Sequence, residues 1–252
     1  MAKVVAFANQ KGGVAKTTTT LNLGVAVQEM GRRVLVVDMD PQGNLTMSLG
    51  LDPDSASPNM HDVLVSGANM EETLVHGEID VAVASIDLAA VEIALSSLIG
   101  RERALSKALF QVRDDYDYIF IDTPPSLGLL TVNALTASNS VLVPVQCEYL
   151  SLRGLAQLTK TLELVRENLN PDVRIAGIVP TMYDPRTAHG REAVEVLRSS
   201  FGDLVCETTI LKTIKFAEAP VLGQSVLKYA PDSQAAEAYR QLAKEVLNGK
   251  KI

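Results

Sequence analysis

The chain has 252 residues, of which 47% are hydrophobic and 21% are charged, and its formal net charge at pH 7 is −7. Strongly apolar segments recur from end to end without a Ser/Gly/Pro-rich linker, so the composition indicates one α/β domain over residues 1–252. The acidic balance argues against a protein that coats nucleic acid, which needs a broadly basic surface, although it allows a local basic patch. The N-terminus lacks a signal-peptide pattern and no run approaches about 18 apolar residues, so we expect a cytoplasmic protein without a transmembrane helix.

Short, continuous apolar runs predict the strands. They lie at 3–8, 33–37, 118–121, 140–145 and 174–179, with a weaker run at 79–85. The runs do not alternate apolar and polar residues, which is typical of strands that are buried on both faces of a parallel sheet.

Helical patterns lie between these runs. The clearest is 150–169, where apolar residues recur at spacings of three or four, and 87–113 predicts two helices that are broken near Gly100. Two further helices are predicted at 189–200 and 233–247. The alternation predicts a doubly wound, mostly parallel sheet with helices on both faces, which binds ligands at the carboxyl ends of its strands.

The stretch QKGGVAKTT, residues 10–18, follows the first predicted strand and has the composition of a phosphate-binding loop. Gln10 and Ala15 stand where the standard pattern G-x-x-x-x-G-K-[ST] has glycine. Its paired glycines let backbone N–H groups turn inward, and a helix that begins at about Lys16 adds the positive end of its dipole. In such a loop Lys16 reaches the β- and γ-phosphates and the Thr17 hydroxyl ligates Mg²⁺. The alternative is a glycine-rich turn that binds nothing.

Three aspartates come directly after predicted strands. Asp122 ends the strand in YIFIDTPP, where a Walker-B carboxylate lies beside Mg²⁺, usually acting through a water. Asp38 and Asp40, in VVDMDPQGN, lie at another strand end, where one of them could orient the attacking water or contact the metal. Such aspartates are otherwise common turn formers. Together with the loop, they indicate a nucleoside triphosphatase.

Four motifs, in order along the chain, carry a family resemblance. They are KGGVAKTT, VDMDPQGN, IDTPPSLGLLTVNAL and VPVQCEYLSLRGL, and they resemble the ParA/Soj family of chromosome and plasmid partition ATPases, in the deviant Walker-A group with MinD. The resemblance runs from about residue 3 to 247. It implies a single P-loop NTPase domain without an N-terminal helix-turn-helix domain. From the residues of the C-terminal segment itself, we expect a frayed tail at 248–252.

The deviant signature, x-K-G-G-x-x-K-[ST], accounts for Gln10 and adds a second lysine, Lys11. The resemblance implies that Lys11 crosses a face-to-face dimer to touch the phosphates of the partner's nucleotide, where it offsets charge as an arginine finger does. Most relatives have Gly at the position of Ala15. Because an added methyl crowds a tight contact, its effect on dimer closure and hydrolysis stays open.

The resemblance also implies a set of site residues. Asp40 would position the hydrolytic water, Thr18 would contact the α-phosphate, and Glu148 would contact the nucleotide ribose across the dimer. The implied nucleotide-binding residues are Lys11, Gly12, Gly13, Val14, Ala15, Lys16, Thr17, Thr18 and Glu148. The implied metal residues are Thr17, Asp38 and Asp122, and the implied catalytic residues are Lys11, Lys16 and Asp40.

Two basic segments toward the C-terminal half, MYDPRTAHGR and ILKTIKFAEAP, align with segments that bind DNA in the family. Arg186 and Lys215 match positions of DNA contact, and Lys212 matches a neighbouring basic position. Such contacts release counterions from DNA, so binding should weaken steeply with salt. The alternative is a few solvated surface cations on an acidic protein.

The resemblance implies the following cycle. ATP and Mg²⁺ close a homodimer, the dimer binds non-specific double-stranded DNA of the nucleoid, and hydrolysis releases the DNA. A ParB/Spo0J-like centromere-binding partner would stimulate an otherwise weak ATPase, and the protein would be cytoplasmic and nucleoid-associated. The cycle would drive chromosome or plasmid segregation.

Two alternatives belong to other classes. A MinD-like membrane-associated ATPase needs a basic amphipathic C-terminal helix, but Glu237 and Glu245 give this tail mixed charge, which favours packing on the domain. An iron–sulfur reductase needs thiolates in a glycine-rich loop, and Cys147 and Cys206 lack that setting, so we expect both to be buried in the core.

Overall fold

A central β-sheet organises the molecule. The computed structural model describes residues 1–148, 151–248 and 251–252, and within them seven strands have the order β3-β4-β2-β5-β1-β6-β7. The strands are β1 Lys3–Phe7, β2 Val34–Asp38, β3 Leu74–Val75, β4 Asp80–Ala82, β5 Tyr118–Asp122, β6 Ser140–Gln146 and β7 Arg174–Thr181. The short edge pair β3–β4 is antiparallel and the other pairs are parallel. The mostly parallel sheet is confirmed, and each predicted run forms a strand.

Ten α-helices are found in the described part of the chain. They are α1 Lys16–Glu29, α2 Asn44–Ser48, α3 Val91–Ala94, α4 Ala104–Leu109, α5 Leu129–Ala137, α6 Ser151–Asn168, α7 Ala188–Phe201, α8 Lys215–Val221, α9 Val226–Tyr229 and α10 Gln234–Asn248. A π-helical turn at Asp62–Ser66 and several 3-10 turns complete the connections. The predicted helices at 150–169, 189–200 and 233–247 correspond to α6, α7 and α10, and residue 150 lies outside the described residues.

The segment 87–113 forms two α-helices on either side of Gly100, as predicted, but both are short. Helix α3 is a single turn that follows a 3-10 turn at Ile86–Ala90, and α4 follows a 3-10 turn at Arg101–Arg103. Helix α5 escaped prediction because LLTVNALTA is apolar or buried on nearly every side and so shows no polar face. Both departures come from segments whose burial is set by distant neighbours rather than by local periodicity.

The strands are buried on both faces. Along β1, Val4 and Ala6 contact one core, whereas Val5 and Phe7 contact the other, as successive residues of a strand must. The first core includes residues of α4, α5, α6 and α7, and the second includes residues of α1, α9 and α10. One sheet between two helical layers makes a single α/β domain.

The C-terminal helix packs on the domain. Tyr239 and Leu242 of α10 are fully buried, in the same core as α1. In the segment that was expected to fray, Ile252 is buried and Lys251 donates to the Asp203 carbonyl at 2.8 Å, so these two residues differ from the expectation. Residues 249–250 of that segment lie outside the described residues. No helix in the described ranges is long and apolar enough to cross a membrane.

Candidate nucleotide-binding site

The loop between β1 and α1 turns twice through left-handed backbone. Gly13 has a φ of 71° and Ala15 a φ of 65°, and helix α1 then begins at Lys16, as the sequence predicts. An L-residue pays a steric cost in this region that glycine avoids. Ala15, which stands where the standard pattern has glycine, therefore occupies a backbone conformation that itself favours glycine.

Two polar residues that sequence reasoning missed hold the loop in place. Asn9 accepts the Lys11 N–H through its Oδ1 at 3.0 Å and donates through its Nδ2 to the Pro144 carbonyl at 2.8 Å. Thr181, the last residue of β7, donates to the Val14 carbonyl at 3.0 Å. Their signal in the sequence is a single polar residue at the end of a buried strand, which is weak without the fold.

Lys16 is the buried cation of the site. It is only 7% exposed, and burial lowers the pKa of its ammonium, while the charges of Asp122 and Asp40 act in the opposite direction. A lysine this deep is stable as a cation only beside negative groups. The fold therefore brings together Lys16 and two of the three aspartates that the sequence singled out.

Asp122 and Asp38 lie side by side at the carboxyl ends of β5 and β2, where they are register partners. Both are fully buried. Burial and then the charge of Asp38 raise the pKa of Asp122 well above its usual range, although Lys16 and a 2.6 Å hydrogen bond from the Thr17 hydroxyl lower it. The pair concentrates negative charge directly beside the first turn of α1.

Asp38 organises the segment that follows β2. Its Oδ2 accepts from the backbone N–H and the hydroxyl of Thr46, at 2.9 and 2.8 Å, and its Oδ1 accepts from the Asp40 N–H at 3.1 Å. Burial still raises the pKa of Asp38 to about 6. Thr46, which the sequence analysis missed, thus ties helix α2 to the site. Asp40 is nearly buried and accepts the Gln42 N–H at 3.0 Å, which fixes its carboxylate.

These carboxylates fit a divalent cation bound together with phosphate. The raised pKa values of Asp38 and Asp122 show that the surrounding protein stabilises their ionised forms only in part, so a bound cation would favour ionisation of both. Across the described ranges, the His, Cys, Asp and Glu side chains form no group of three or more that could hold a metal ion by itself. Mg²⁺ usually takes one or two carboxylates and completes its shell with water and substrate phosphates, which matches this donor set.

Lys11 and Glu148 meet beside the loop within the same chain. The Lys11 Nζ lies 2.9 Å from Glu148 Oε2 and 3.0 Å from Gln146 Oε1, at the end of β6. The Gln146 amide also donates to Glu148 at 2.6 Å. The fold thus pairs two residues to which the resemblance gave separate roles across a dimer. Thr18 is half-buried in the first turn of α1, and its carbonyl accepts from Asn22 at 2.7 Å.

The two basic segments, which lie far from the loop in sequence, are in contact with each other. The Lys212 N–H donates to the Tyr183 carbonyl at 3.0 Å, and Lys215 begins helix α8. Arg186 is 87% exposed and makes a bidentate ion pair with Asp184, at 2.9 and 2.8 Å, which lowers the pKa of Asp184 to about 2. Arg191, which the sequence analysis did not select, donates to the Pro185 carbonyl at 2.7 Å and is exposed.

The cysteines take the structural role that was predicted. Cys147 and Cys206 are both buried, and burial raises the pKa of both thiols to about 12. Each therefore remains a neutral thiol near pH 7, which is unsuited to nucleophilic or metal chemistry.

Known proteins share this fold and much of this sequence. A family model described as "AAA domain" matches residues 2–175. The chain is 48% identical to the sporulation initiation inhibitor protein Soj of Bacillus subtilis, over 98% of each chain. It is 43% identical to the chromosome partitioning protein ParA of Caulobacter vibrioides, over 98% of this chain and 94% of that protein.

One similar protein has been solved with nucleotide and magnesium bound. The cobyrinic acid a,c-diamide synthase of Mycobacterium smegmatis, solved with ADP and magnesium and with an ATP analogue and magnesium, is 42% identical with a TM-score of 0.88. The match covers 100% of this chain and 96% of that one.

Proposed function

Because the chain belongs to the ParA/Soj family of partitioning ATPases, we propose that it is an ATP-driven DNA-partitioning protein whose ATP-bound homodimer holds nucleoid DNA. The family hydrolyses nucleotides, and the relative from M. smegmatis was solved with ADP or an ATP analogue together with magnesium. ATP and Mg²⁺ are accordingly the ligands of the site. The observation that carries the proposal is the buried pair Lys16 and Asp122, with the Thr17 hydroxyl bonded to Asp122, behind a loop with a second lysine.

We assign the phosphates to the loop and to Lys16. The backbone N–H groups of residues 12–15 and the start of α1 face an anion in such a loop, and the ammonium of Lys16 neutralises it. Thr17 and Asp122, which are already hydrogen-bonded to each other, would hold Mg²⁺, with Asp122 acting through a water. When bound, the metal offsets the charge on the β- and γ-phosphate oxygens. Asp38 supports this pair from the neighbouring strand.

Asp40 is proposed to orient the water that attacks the γ-phosphate. Its carboxylate is fixed by the Gln42 N–H, and its own N–H is held by Asp38, so its position depends on the segment that leaves β2. A nearly buried carboxylate at this point accepts a proton from water while excluding bulk solvent. Thr18 would contact the α-phosphate from the first turn of α1.

Lys11 and Glu148 are proposed to act across the dimer. In the single chain the ammonium of Lys11 is paired with Glu148, so it is not available to a transferring phosphoryl group. Closure of two chains would exchange this pair for contacts with the partner's nucleotide, Lys11 with its phosphates and Glu148 with its ribose. Such an exchange accounts for a weak intrinsic ATPase, because the second cation arrives only on assembly.

The DNA-binding surface is proposed to consist of Arg186, Lys212 and Lys215, with Arg191 added from the structure. Because the proposed binding is non-specific, it would depend on phosphate contacts and counterion release. Asp184 neutralises part of this surface by pairing with Arg186. Two copies of the surface on one dimer would double the number of phosphate contacts, which makes DNA binding depend on ATP through assembly.

The remaining steps concern release and partners. Hydrolysis would remove the preference for the dimer and release DNA, which follows population-shift logic because ATP must favour one state and ADP the other. A ParB-like centromere-binding protein would stimulate that step, and the ATP-bound protein would be located on the nucleoid. The apolar residues of α10 are buried in the domain, so this helix offers no apolar face for a membrane-associated alternative.

The experiment is a DNA-binding titration in the presence of ATP and Mg²⁺ over a salt series. We expect Arg186→Ala/Lys215→Ala to lower the DNA affinity at low salt by about tenfold or more and to reduce the salt slope by about two per protomer. The matched control is Arg103→Ala/Lys107→Ala, which removes the same residue types from exposed positions beside α4. Equal losses in both double variants, or ATP binding by the wild type without DNA binding at low salt, would refute the proposal.

A further inference from the structure

Helix α8, which begins with the proposed DNA-binding residue Lys215, is attached to the nucleotide site at its first turn. The ring of Phe216 packs edge-on against Tyr239 of α10, with centroids 5.7 Å apart and planes at 80°. The Tyr239 hydroxyl lies 3.3 Å from the Thr19 hydroxyl on α1, the helix that follows the phosphate loop. One end of α8 thus rests, through one ring, on the helix that carries Lys16.

The other end of α8 touches the second segment of the site. Gly223, just after α8, and Gly50, just after α2, both have left-handed backbone, with φ values of 64° and 75°. Their backbones are in direct contact. A Cβ added at Gly223 would lie 2.9 Å from the Gly50 Cα and 3.0 Å from the Gly50 N, closer than real Cβ contacts allow. The left-handed backbone favours glycine at both positions, and a Cβ at Gly223 would push the two backbones apart.

Helix α2 leads directly from this contact back to the buried carboxylates. Thr46 of α2 is held by two hydrogen bonds to Asp38, and Asp38 also holds the Asp40 N–H. Gly50 donates to the Met47 carbonyl at 2.9 Å, so it is fixed to the same short helix. A shift of the segment 38–50 must therefore either move Gly223 or break a contact that has no flexible side chain to absorb the change.

We propose that α8 couples the nucleotide state to the DNA-binding surface, and that the Gly50–Gly223 contact is the joint through which the 38–50 segment positions Lys215. This inference rests on the proposed function and adds a second route to ATP dependence, besides the doubling of the surface on dimerisation. The two routes differ in what they need. Assembly needs only two chains, whereas the joint needs α2 and α8 to move together within each chain.

The test compares the ratio of DNA affinities with ATP and with ADP in two alanine variants. Gly223→Ala forces the two backbones apart, whereas Gly100→Ala imposes the same left-handed strain, at a φ of 75°, where an added Cβ meets no atom of the described residues within 4 Å. We expect Gly223→Ala to lower the ratio by about tenfold or more while ATP affinity and the ATP-dependent dimer are retained. Gly100→Ala should keep the ratio of the wild type.

Two results would overturn the coupling. One is a wild-type ratio in folded Gly223→Ala. The other is a loss of DNA binding together with the ATP-dependent dimer, because the contact would then act only through assembly. If Gly223→Ala does not fold, Gly50→Ala takes its place, since its Cβ would lie at a milder 3.3 Å from the Gly223 Cα and should change the ratio in the same direction.

Hydrogen exchange of the wild type tests the coupling without DNA. Addition of ATP and Mg²⁺ should change the protection of backbone amides in 215–224, and the same change should occur in Arg186→Ala/Lys215→Ala. Unchanged protection there, with ATP bound, would overturn the coupling even if DNA binding is normal. If the wild type binds no DNA, the proposed function fails, and a change at 215–224 would still support the joint.

Discussion

The charged groups of the nucleotide site and those of the proposed DNA-binding surface differ in their exposure to solvent. The nucleotide site lies at the carboxyl edge of the sheet, which is called the edge below, and the DNA-binding surface is called the surface. At the edge, Lys16, Asp38 and Asp122 are buried. Burial lowers the pKa of Lys16 and raises the pKa values of both aspartates, so it favours the neutral form of all three groups. At the surface, Arg186 is almost fully exposed and its charge is permanent. Each charge at the edge therefore depends on a few named neighbours, whereas charges at the surface act by their number.

This contrast follows from solvent. Between buried groups, electrostatic interactions are strong and unscreened, so loss of one partner leaves the other uncompensated. Between exposed groups, water and salt screen each charge, so single changes have small effects that add up. Substitutions at buried groups should therefore have larger effects than substitutions at exposed ones.

The largest effect should come from Lys16→Ala. The variant removes the proposed phosphate ligand, whose charge also acts on Asp122, so we expect phosphate release in a single turnover to fall by about 10²–10³-fold. The exposed Lys107→Ala is the control and should be unchanged. A loss below tenfold in Lys16→Ala would show that the buried cation is not essential. It would contradict the claim that buried charges matter more than exposed ones.

The next effect concerns pH. Asp38 has a folded pKa of about 6, above its unfolded value, so the folded protein binds its proton more tightly. Its contribution to the free energy of unfolding is therefore full below about pH 4 and is lost as pH rises through about 6, by about 2–3 kcal/mol in the Mg²⁺-free protein. Denaturant unfolding at each pH measures this slope, which should be flatter in Asp38→Asn. Equal slopes in the two proteins would contradict the assignment.

At the surface the expected change is smaller, and it is a gain in DNA affinity. Asp184→Asn releases Arg186 from its bidentate pair, so we expect DNA affinity in ATP to rise about three- to tenfold at low salt. Asp114→Asn, which removes an exposed charge elsewhere, is the control. Identical gains in both variants would mean that net charge, rather than this pair, limits binding.

The smallest effect is predicted at the loop. Ala15→Gly relieves a left-handed alanine, so we expect a gain in the free energy of unfolding of up to about 1 kcal/mol, measured by denaturant titration. Ala26→Gly, in the interior of α1, is the matched control and should lose about 1 kcal/mol instead. A loss of stability in Ala15→Gly would indicate that the methyl makes contacts that outweigh its strain.

The sequence predicted those parts that depend on local pattern. The buried strands, the start of α1 at Lys16 and the placement of Asp122 at a strand end all follow from short apolar runs and a loop signature. Helix α5 and the short length of α3 and α4 were not predicted, because distant neighbours decide the burial of these segments.

Contacts between segments far apart in the chain needed the fold. The pairing of Lys11 with Glu148 and the approach of Gly50 to Gly223 join residues that no local pattern connects. Thr46 and Asn9 were missed for the same reason, since each looks like an ordinary polar residue until its partner is known.

The most direct test is the DNA affinity of the wild type with ATP, with ADP and without nucleotide, at one low salt concentration and with the oligomeric state measured in the same samples. We predict that ATP raises the DNA affinity at least about tenfold over the affinities with ADP and without nucleotide, because the nucleotide site controls the DNA-binding surface. The same affinity in all three states, with ATP shown to be bound, would contradict it.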